Sequence, residues 1–92
     1  MNAKEIEKKV IEVLAEMFGV KPEELSSETK PQEDLGADSI DIVDMIVAFE
    51  TEYDITFPDD DIFKAKLDTI GDITKFINDH LNNDEAKVNP GN

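Results

Sequence analysis

The sequence predicts an all-α fold: a four-helix bundle with a long loop between the first and second helices and a short third helix. Apolar residues recur at intervals of three or four along three long segments, which is the period of an amphipathic helix. Residues that favour helix starts and helix ends lie at the borders of these segments. With 92 residues, of which 39% are hydrophobic, the chain can bury one compact core but not a second lobe.

The first helix is predicted from about Ala3 to Phe18. Asn2 is a suitable N-terminal cap, and Gly19 is a typical residue at which a helix ends. The apolar stripe of this helix comprises Ile6, Val10, Ile11, Val13, Leu14, Met17 and Phe18. Its spacing predicts that one face of the helix packs on the core.

Residues 20–37 are predicted to connect the first and second helices, over a length that exceeds most loops that only join elements. Pro22 is followed by two glutamates and suits the first position of one helical turn. Leu25 and Leu35 are the apolar residues expected to hold this loop on the core.

The second helix, from about Ser39 to Tyr53, carries more apolar residues than one packing stripe needs. Its core face is expected to comprise Ile42, Met45, Ile46, Phe49 and Tyr53. A neighbouring strip comprises Ile40, Val43 and Val47, interleaved with Asp41, Asp44 and Glu50. This strip is either more core, because buried helices can be apolar all round, or an exposed docking surface rimmed by charge.

A short third helix is expected after Pro58, with three aspartates in its first turn, where the helix dipole favours negative charge. Its apolar contacts are Ile62, Phe63 and Leu67. The last helix begins after the cap residue Thr69, with Asp72 three residues further on. Its buried stripe comprises Ile70, Ile73, Phe76, Ile77 and Leu81. Residues 83–92 lack periodicity and are predicted to be a disordered tail, which sets the domain at residues 1–82.

The composition excludes several classes of protein. The chain has no cysteine, so it cannot form a disulfide or a thiolate metal site. Its 23 acidic residues outnumber 9 basic ones, and the net charge of −14 would repel nucleic acid. No apolar stretch approaches the roughly 20 residues of a membrane span, and no leader sequence is evident. A cytoplasmic protein is therefore expected.

The negative charge is concentrated in one part of the chain. Eleven acidic residues and no basic residue lie between Pro31 and Phe63. Repulsion among charges of one sign destabilises the fold, but the same charges favour the attraction of partners with basic surfaces. The run Asp59-Asp60-Asp61 lacks the turn glycine and closing glutamate of a calcium loop, so no metal site is predicted.

Ser39 lies where the long polar loop meets the acidic second helix. A hydroxyl there is close to unpaired N–H groups and to the positive end of the helix dipole, which favour an anion. One interpretation is a phosphate ester on Ser39, and the other is that Asp38 or Ser39 merely caps the helix. A catalytic serine needs a general base. The single histidine, His80, is expected to be a solvated residue at the end of the last helix, so enzymatic activity is not predicted.

Four ordered motifs resemble those of the acyl carrier protein family, over about residues 4–82. The first, Asp34-Leu35-Gly36-Ala37-Asp38-Ser39-Ile40-Asp41, is similar to the modification motif of that family. The others are Ala48-Phe49-Glu50-Thr51-Glu52-Tyr53-Asp54-Ile55, then Phe57-Pro58-Asp59, and finally Thr69-Ile70-Gly71-Asp72. The chain departs from the family in two places: the segment between Pro58 and Gly71 is longer than usual, and Thr51 stands where an acidic residue is usual.

The resemblance implies a bundle of acyl-carrier type in a chain that is not itself an enzyme. It implies that 4′-phosphopantetheine, donated by coenzyme A, is attached covalently to Ser39 by a holo-acyl-carrier-protein synthase, with no metal on this chain. The arm would hold growing acyl chains as thioesters for the enzymes of fatty acid biosynthesis. These partners would approach through basic patches, and a monomer without stable membrane insertion is expected.

Two further sets of residues are predicted around Ser39. The partner-docking set comprises Asp38, Ile40, Asp41, Val43, Asp44, Val47 and Glu50. The acyl pocket is predicted between the second and third helices and comprises Ile42, Met45, Phe49, Phe57 and Ile62. The alternative for this second set is a conventional closed core that leaves the acyl chain outside.

Two other functions compete with a fatty-acid carrier. One is a specialised carrier for polyketide, lipopeptide or lipid-modification chemistry: the motif matches the fatty-acid type best, but the longer segment after Pro58 keeps this alternative open. The other is an unmodified adaptor protein with the same bundle, which the composition alone does not distinguish from a carrier.

Overall fold

The computed structural model describes the backbone of residues 2–88 and the side chains of residues 2–81. Within that range the chain is helical, without β-strands. The α-helices are α1 (Ala3–Phe18), α2 (Pro31–Asp34), α3 (Ser39–Tyr53), α4 (Asp59–Lys64) and α5 (Ile70–Val88). The all-α prediction is confirmed, and its four helices correspond to α1, α3, α4 and α5. The long loop holds the predicted turn at Pro22–Glu24, which is a 3₁₀ helix, and in addition the single turn α2.

The helix ends are fixed by the local signals that the sequence carries. Glu5 N–H donates to Asn2 Oδ1 at 2.9 Å, and Gly19 ends α1 in the left-handed conformation with φ of 67°. At the start of α5, Asp72 N–H donates to Thr69 Oγ1 at 3.0 Å. Because these contacts satisfy N–H groups that a helix start leaves unpaired, they explain why the predicted starts of α1 and α5 are confirmed.

The core lies where α1, α3 and α5 meet. The residues of these three helices that are buried most completely are Ile6, Val10, Leu14, Ile42, Met45, Ile46, Phe49, Ile70, Ile73 and Ile77. These are the stripes that the periodicity predicts. Met17 differs, because it is exposed and the adjacent Phe18 takes the partly buried position at the end of α1.

The long loop folds back onto the start of α5. Ile70 N–H donates to the Thr29 carbonyl at 2.9 Å, and Gly71 N–H donates to the Ser27 carbonyl at 2.8 Å. A Cβ on Gly71 would lie 3.2 Å from that Ser27 oxygen, so glycine permits the close approach. The predicted anchors contribute as well, because Leu25 is buried and Leu35 is partly buried. The loop is therefore a structured part of the bundle.

The last helix is longer than predicted. It continues to Val88, so the backbone of residues 83–88 is helical where the sequence predicted a disordered tail. The prediction relied on the absence of apolar periodicity, but Glu85, Ala86 and Lys87 are residues with high intrinsic helix propensity. Residues 89–92 of the predicted tail lie outside the described residues. No helix within the described part of the chain is long and apolar enough to cross a membrane.

Candidate functional site

The start of α3 is capped by Asp38 and leaves Ser39 free. Asp41 N–H donates to Asp38 Oδ1 at 2.9 Å, and Asp38 N–H donates to Asp41 Oδ2 at 3.1 Å. This reciprocal pair is a capping box, which satisfies two N–H groups of the helix start. Ser39 occupies the first helical position with its side chain exposed. The interpretation that Asp38 caps the helix is confirmed, whereas Ser39 has no part in the cap.

The loop before Ser39 is shaped by α2 and Gly36. Ala37 N–H donates to the Pro31 carbonyl at 3.1 Å, which folds the chain back across this turn. Gly36 has φ of 74°, a conformation that glycine adopts without steric cost. The buried Ala37 then holds the loop on the core. These contacts fix the point at which the chain emerges into α3.

Ser39 lines an open cleft of about 230 Å³ between α3 and α4. The other lining residues are Gln32, Ile42, Val43, Ile62, Phe63, Ala65, Leu67 and Asp68. Ala65 and Leu67 come from the segment between Pro58 and Gly71. The cleft therefore places a hydroxyl beside a mainly aliphatic and aromatic wall.

The predicted acyl-pocket residues divide into two groups. Ile42 and Ile62 line the cleft together with Ser39. Met45, Phe49 and Phe57 lie deeper and are at most 1% exposed, so they belong to the closed core in this structure. An apolar ligand in the cleft would reach these three residues only if the core opened.

The strip beside the core face of α3 is exposed. Ile40 is 69% exposed and Val47 is 45% exposed, so the interpretation of this strip as additional core is wrong. Val43, between them in the sequence, lines the cleft. Asp44 is exposed and makes none of the hydrogen bonds or ion pairs found among the side chains of residues 2–81. An aliphatic strip with carboxylates beside it thus borders the cleft.

Three carboxylates of the predicted docking set also have structural contacts. Asp38 and Asp41 form the capping box, and Glu50 Oε2 accepts a hydrogen bond of 2.7 Å from Phe57 N–H. The Glu50 contact is partly buried and joins α3 to the segment that leads into α4. Asp44 is therefore the carboxylate of the set whose charge can be changed with the least effect on these contacts.

The position of His80 differs from the prediction. Its side chain is 21% exposed, and its ring packs on Phe57 and Phe76. It lies within α5, because the helix continues beyond it to Val88. Nδ1 is 2.8 Å from the Phe76 carbonyl oxygen, and Nε2 is 3.0 Å from Asp61 Oδ2. A solvated position at the helix end is therefore wrong.

The sequence reasoning missed several residues of the cleft. Phe63 is 80% exposed although it lines the cleft, and Gln32 reaches it from α2. Phe63 and Leu67 were expected only to pack the third helix. The one available signal is that Phe63 directly follows Ile62 in a helix of six residues, which cannot bury both side chains on the same face.

Comparisons with known proteins agree with this geometry. Residues 8–77 match the family model described as "Phosphopantetheine attachment site". The chain is 42% identical over 66 residues to an acyl carrier protein of Wolinella succinogenes, covering 72% of this chain and 84% of that protein. Its fold is similar to a solved structure of the acyl carrier protein from Enterococcus faecalis, with a TM-score of 0.65, 24% identity, and coverage of 86% of this chain and 98% of that one. The chain therefore belongs to the acyl carrier protein family.

Proposed function

We propose that this chain holds acyl groups as thioesters on a 4′-phosphopantetheine arm attached to Ser39, in fatty acid biosynthesis. The observation that carries the proposal is the position of the Ser39 hydroxyl. It is exposed at the first position of α3 and opens onto an apolar cleft, within the residues that match the family model. Coenzyme A is the donor of the arm, and a holo-acyl-carrier-protein synthase is the enzyme that attaches it.

The residues at the start of α3 fit a phosphodiester on Ser39. The N–H groups of Ser39 and Ile40 lie in the first turn, where helix geometry supplies no acceptor and the dipole favours negative charge. The carboxylates of Asp38 and Asp41 point onto each other's backbone N–H groups, and the hydroxyl remains accessible. The bound group supplies a thiol, which this chain lacks because it has no cysteine.

The chain itself carries no catalytic function in this proposal. A nucleophilic serine requires a base within hydrogen-bond reach. The single histidine, His80, has both ring nitrogens engaged, with Asp61 and with the Phe76 carbonyl. Chemistry on the acyl group therefore belongs to partner enzymes.

Partner enzymes are proposed to dock on the surface around the cleft. Its exposed apolar residues are Ile40, Val47 and Phe63, and Asp44 stands among them on α3. The aliphatic and aromatic side chains would supply burial, while the carboxylates attract a basic patch on the partner. The chain is proposed to act as a cytoplasmic monomer that neither binds nucleic acid nor inserts stably into membranes, consistent with its net charge of −14.

A specialised carrier for polyketide, lipopeptide or lipid-modification chemistry is the second candidate. One observation favours it: Ala65 and Leu67, from the lengthened segment after Pro58, line the cleft. That segment can alter which acyl group fits beside Ser39. Acyl groups released from the holo protein of the native cell would distinguish the two carriers, because straight saturated chains indicate fatty acid biosynthesis.

The attachment residue is tested by labelling the apo protein with coenzyme A and a carrier synthase, then measuring the intact mass. We expect the wild type to gain one phosphopantetheine and Ser39→Ala to gain none. Ser27→Ala is the matched control, because Ser27 is another loop serine with its side chain outside the cleft. Normal labelling of Ser39→Ala would overturn the assignment. An unlabelled wild type would show instead that the chain is an adaptor or needs a different synthase.

A further inference from the structure

The His80 ring stands between two hydrogen-bond acceptors. Nδ1 is 2.8 Å from the carbonyl oxygen of Phe76, one turn earlier in α5. Nε2 is 3.0 Å from Oδ2 of Asp61, on α4. A carbonyl oxygen and a carboxylate oxygen both accept and do not donate.

Only one protonation state satisfies both contacts. A neutral imidazole carries one N–H, so one of its nitrogens would direct a lone pair at an oxygen. The imidazolium carries two N–H groups, and each can donate to one of the acceptors. The hydrogen bond to Asp61 is then also an ion pair, which is stronger than a neutral hydrogen bond.

The residues packed around the His80 ring limit which charged groups can interact with it. Phe57 packs edge-on to it from the segment before α4, with ring centroids 5.4 Å apart, and Phe76 packs on it from α5 at 4.3 Å. Asp61 is the titratable side chain that contacts the ring from α4. On the described part of α5, the charged side chains of Asp79 and Lys75 pair with each other at 2.8 Å. Glu50 on α3 is engaged with the Phe57 N–H.

The element that His80 contacts is weakly held. No residue of α4 is fully buried, and Ile62 is its partly buried apolar side chain. Asp61 directly precedes Ile62 and Phe63, which form one wall of the cleft beside Ser39. The hydrogen bond between His80 on α5 and Asp61 on α4 therefore influences the position of that wall.

We infer that His80 is a positioning residue for the cleft, and that its doubly protonated ring fixes α4 through Asp61. Both contacts are hydrogen bonds only when the ring carries two protons, and a neutral ring also loses the ion pair with Asp61. The wall formed by Ile62 and Phe63 is thus held more firmly when His80 is charged. The consequence for a bound acyl chain rests on the proposed function, whereas the coupling between His80 and α4 does not.

The test is an NMR pH titration of the unmodified full-length chain, followed at the His80 ring and at the backbone amides of residues 61–63. We expect the amides of α4 to shift with the same midpoint as the ring. In Asp61→Asn the ring should still titrate, but the linked shift of the α4 amides should disappear. Asp60→Asn is the matched control, since it removes the same charge from a neighbouring exposed residue and should preserve the coupling.

A second variant separates protonation from packing. His80→Gln removes the ionisable ring, so the α4 amides should lose the pH dependence that follows the ring in the wild type. The inference is overturned if α4 amides in the wild type do not follow the ring, or if Asp60→Asn abolishes the coupling as Asp61→Asn does. Because the titration uses the chain without its arm, its result is independent of whether Ser39 can be labelled.

Discussion

Asp38 and Ser39 have different roles, although the sequence alone did not decide which of them caps α3. Asp38 forms the capping box with Asp41, and Ser39 keeps an exposed hydroxyl in the first turn of α3. The cap places a carboxylate beside the position proposed for an anionic phosphodiester. The charge of Asp38 and its hydrogen bond therefore have separable effects. The hydrogen bond stabilises the start of α3, whereas the charge is available to a partner protein.

The capping role of Asp38 predicts different results for two substitutions. Asp38→Ala removes the acceptor for Asp41 N–H and should lower the free energy of unfolding by about 1 kcal/mol. Asp38→Asn removes the charge but keeps a good capping acceptor, so its stability should remain close to that of the wild type. Urea denaturation of the apo protein measures both values. Equal losses in the two variants would show that the charge of Asp38, and not its cap, stabilises the fold.

At the scale of elements, the cleft depends on how α4 is attached to its neighbours. The segment leading into α4 is tied to α3 by the bond from Phe57 N–H to Glu50, and α4 contacts α5 through Asp61 and His80. The helix itself is six residues long and holds no fully buried residue. An element with so few buried contacts opens at low cost, which is a property that a cleft for variable acyl chains requires.

Acylation should therefore be felt first at the cleft wall. In a comparison of amide chemical shifts between the holo and octanoylated forms, we expect the largest changes at Val43, Ile62 and Phe63, because these residues line the cleft. Each methylene of the acyl chain buried there contributes roughly 0.8 kcal/mol to binding in the cleft. Changes that extend to Met45 and Phe49 would indicate that the core opens as well. Residues of α1, such as the exposed Glu16, do not line the cleft and serve as the internal reference. Shifts restricted to Ser39 and its immediate neighbours would show that the acyl chain stays outside.

At the scale of the whole molecule, charge is the dominant feature. The net charge of −14 is carried by 92 residues, and the stretch from Pro31 to Phe63 has eleven acidic residues without a basic one. This stretch includes α2, α3 and most of α4, which are the helices that line the cleft. The negative charge is thus concentrated in the helices around the proposed attachment residue, where it would attract basic partners over distances near the Debye length, about 8 Å at physiological salt.

Reversing one charge at the cleft should slow modification more than reversing one elsewhere. Asp44→Lys is preferred over Asp41→Lys, because Asp41 belongs to the capping box. At low ionic strength we expect Asp44→Lys to reduce the rate of phosphopantetheine transfer several-fold, and to weaken its dependence on salt. Glu16→Lys makes the same change in net charge on α1 and should have little effect. Equal rates in the two variants, or rates independent of salt in the wild type, would contradict steering by this surface.

Parts of the site that depend on residues close along the chain could be predicted, and parts that depend on distant segments could not. The start of α3 at Ser39 could be predicted because Asp38 and Asp41 are three residues apart. The cleft wall could not be predicted, because Phe63 and Leu67 reach it only through the position of α4 relative to α3. His80 was placed in solvent for the same reason, since Asp61 lies 19 residues away.

The sequence by itself determined where α1, α3, α4 and α5 begin, most of the core stripes and the family, because these depend on residues that are close along the chain or on a pattern of motifs. Only the tertiary structure decided which apolar residues stay exposed. Ile40 and Val47 remain in solvent because the core face of α3 already fills the space against α1 and α5. It also decided that Met45, Phe49 and Phe57 close the core while Ile42 and Ile62 line the cleft. The physical reason is that burial depends on which distant segments pack together, and periodicity within one helix does not contain that information.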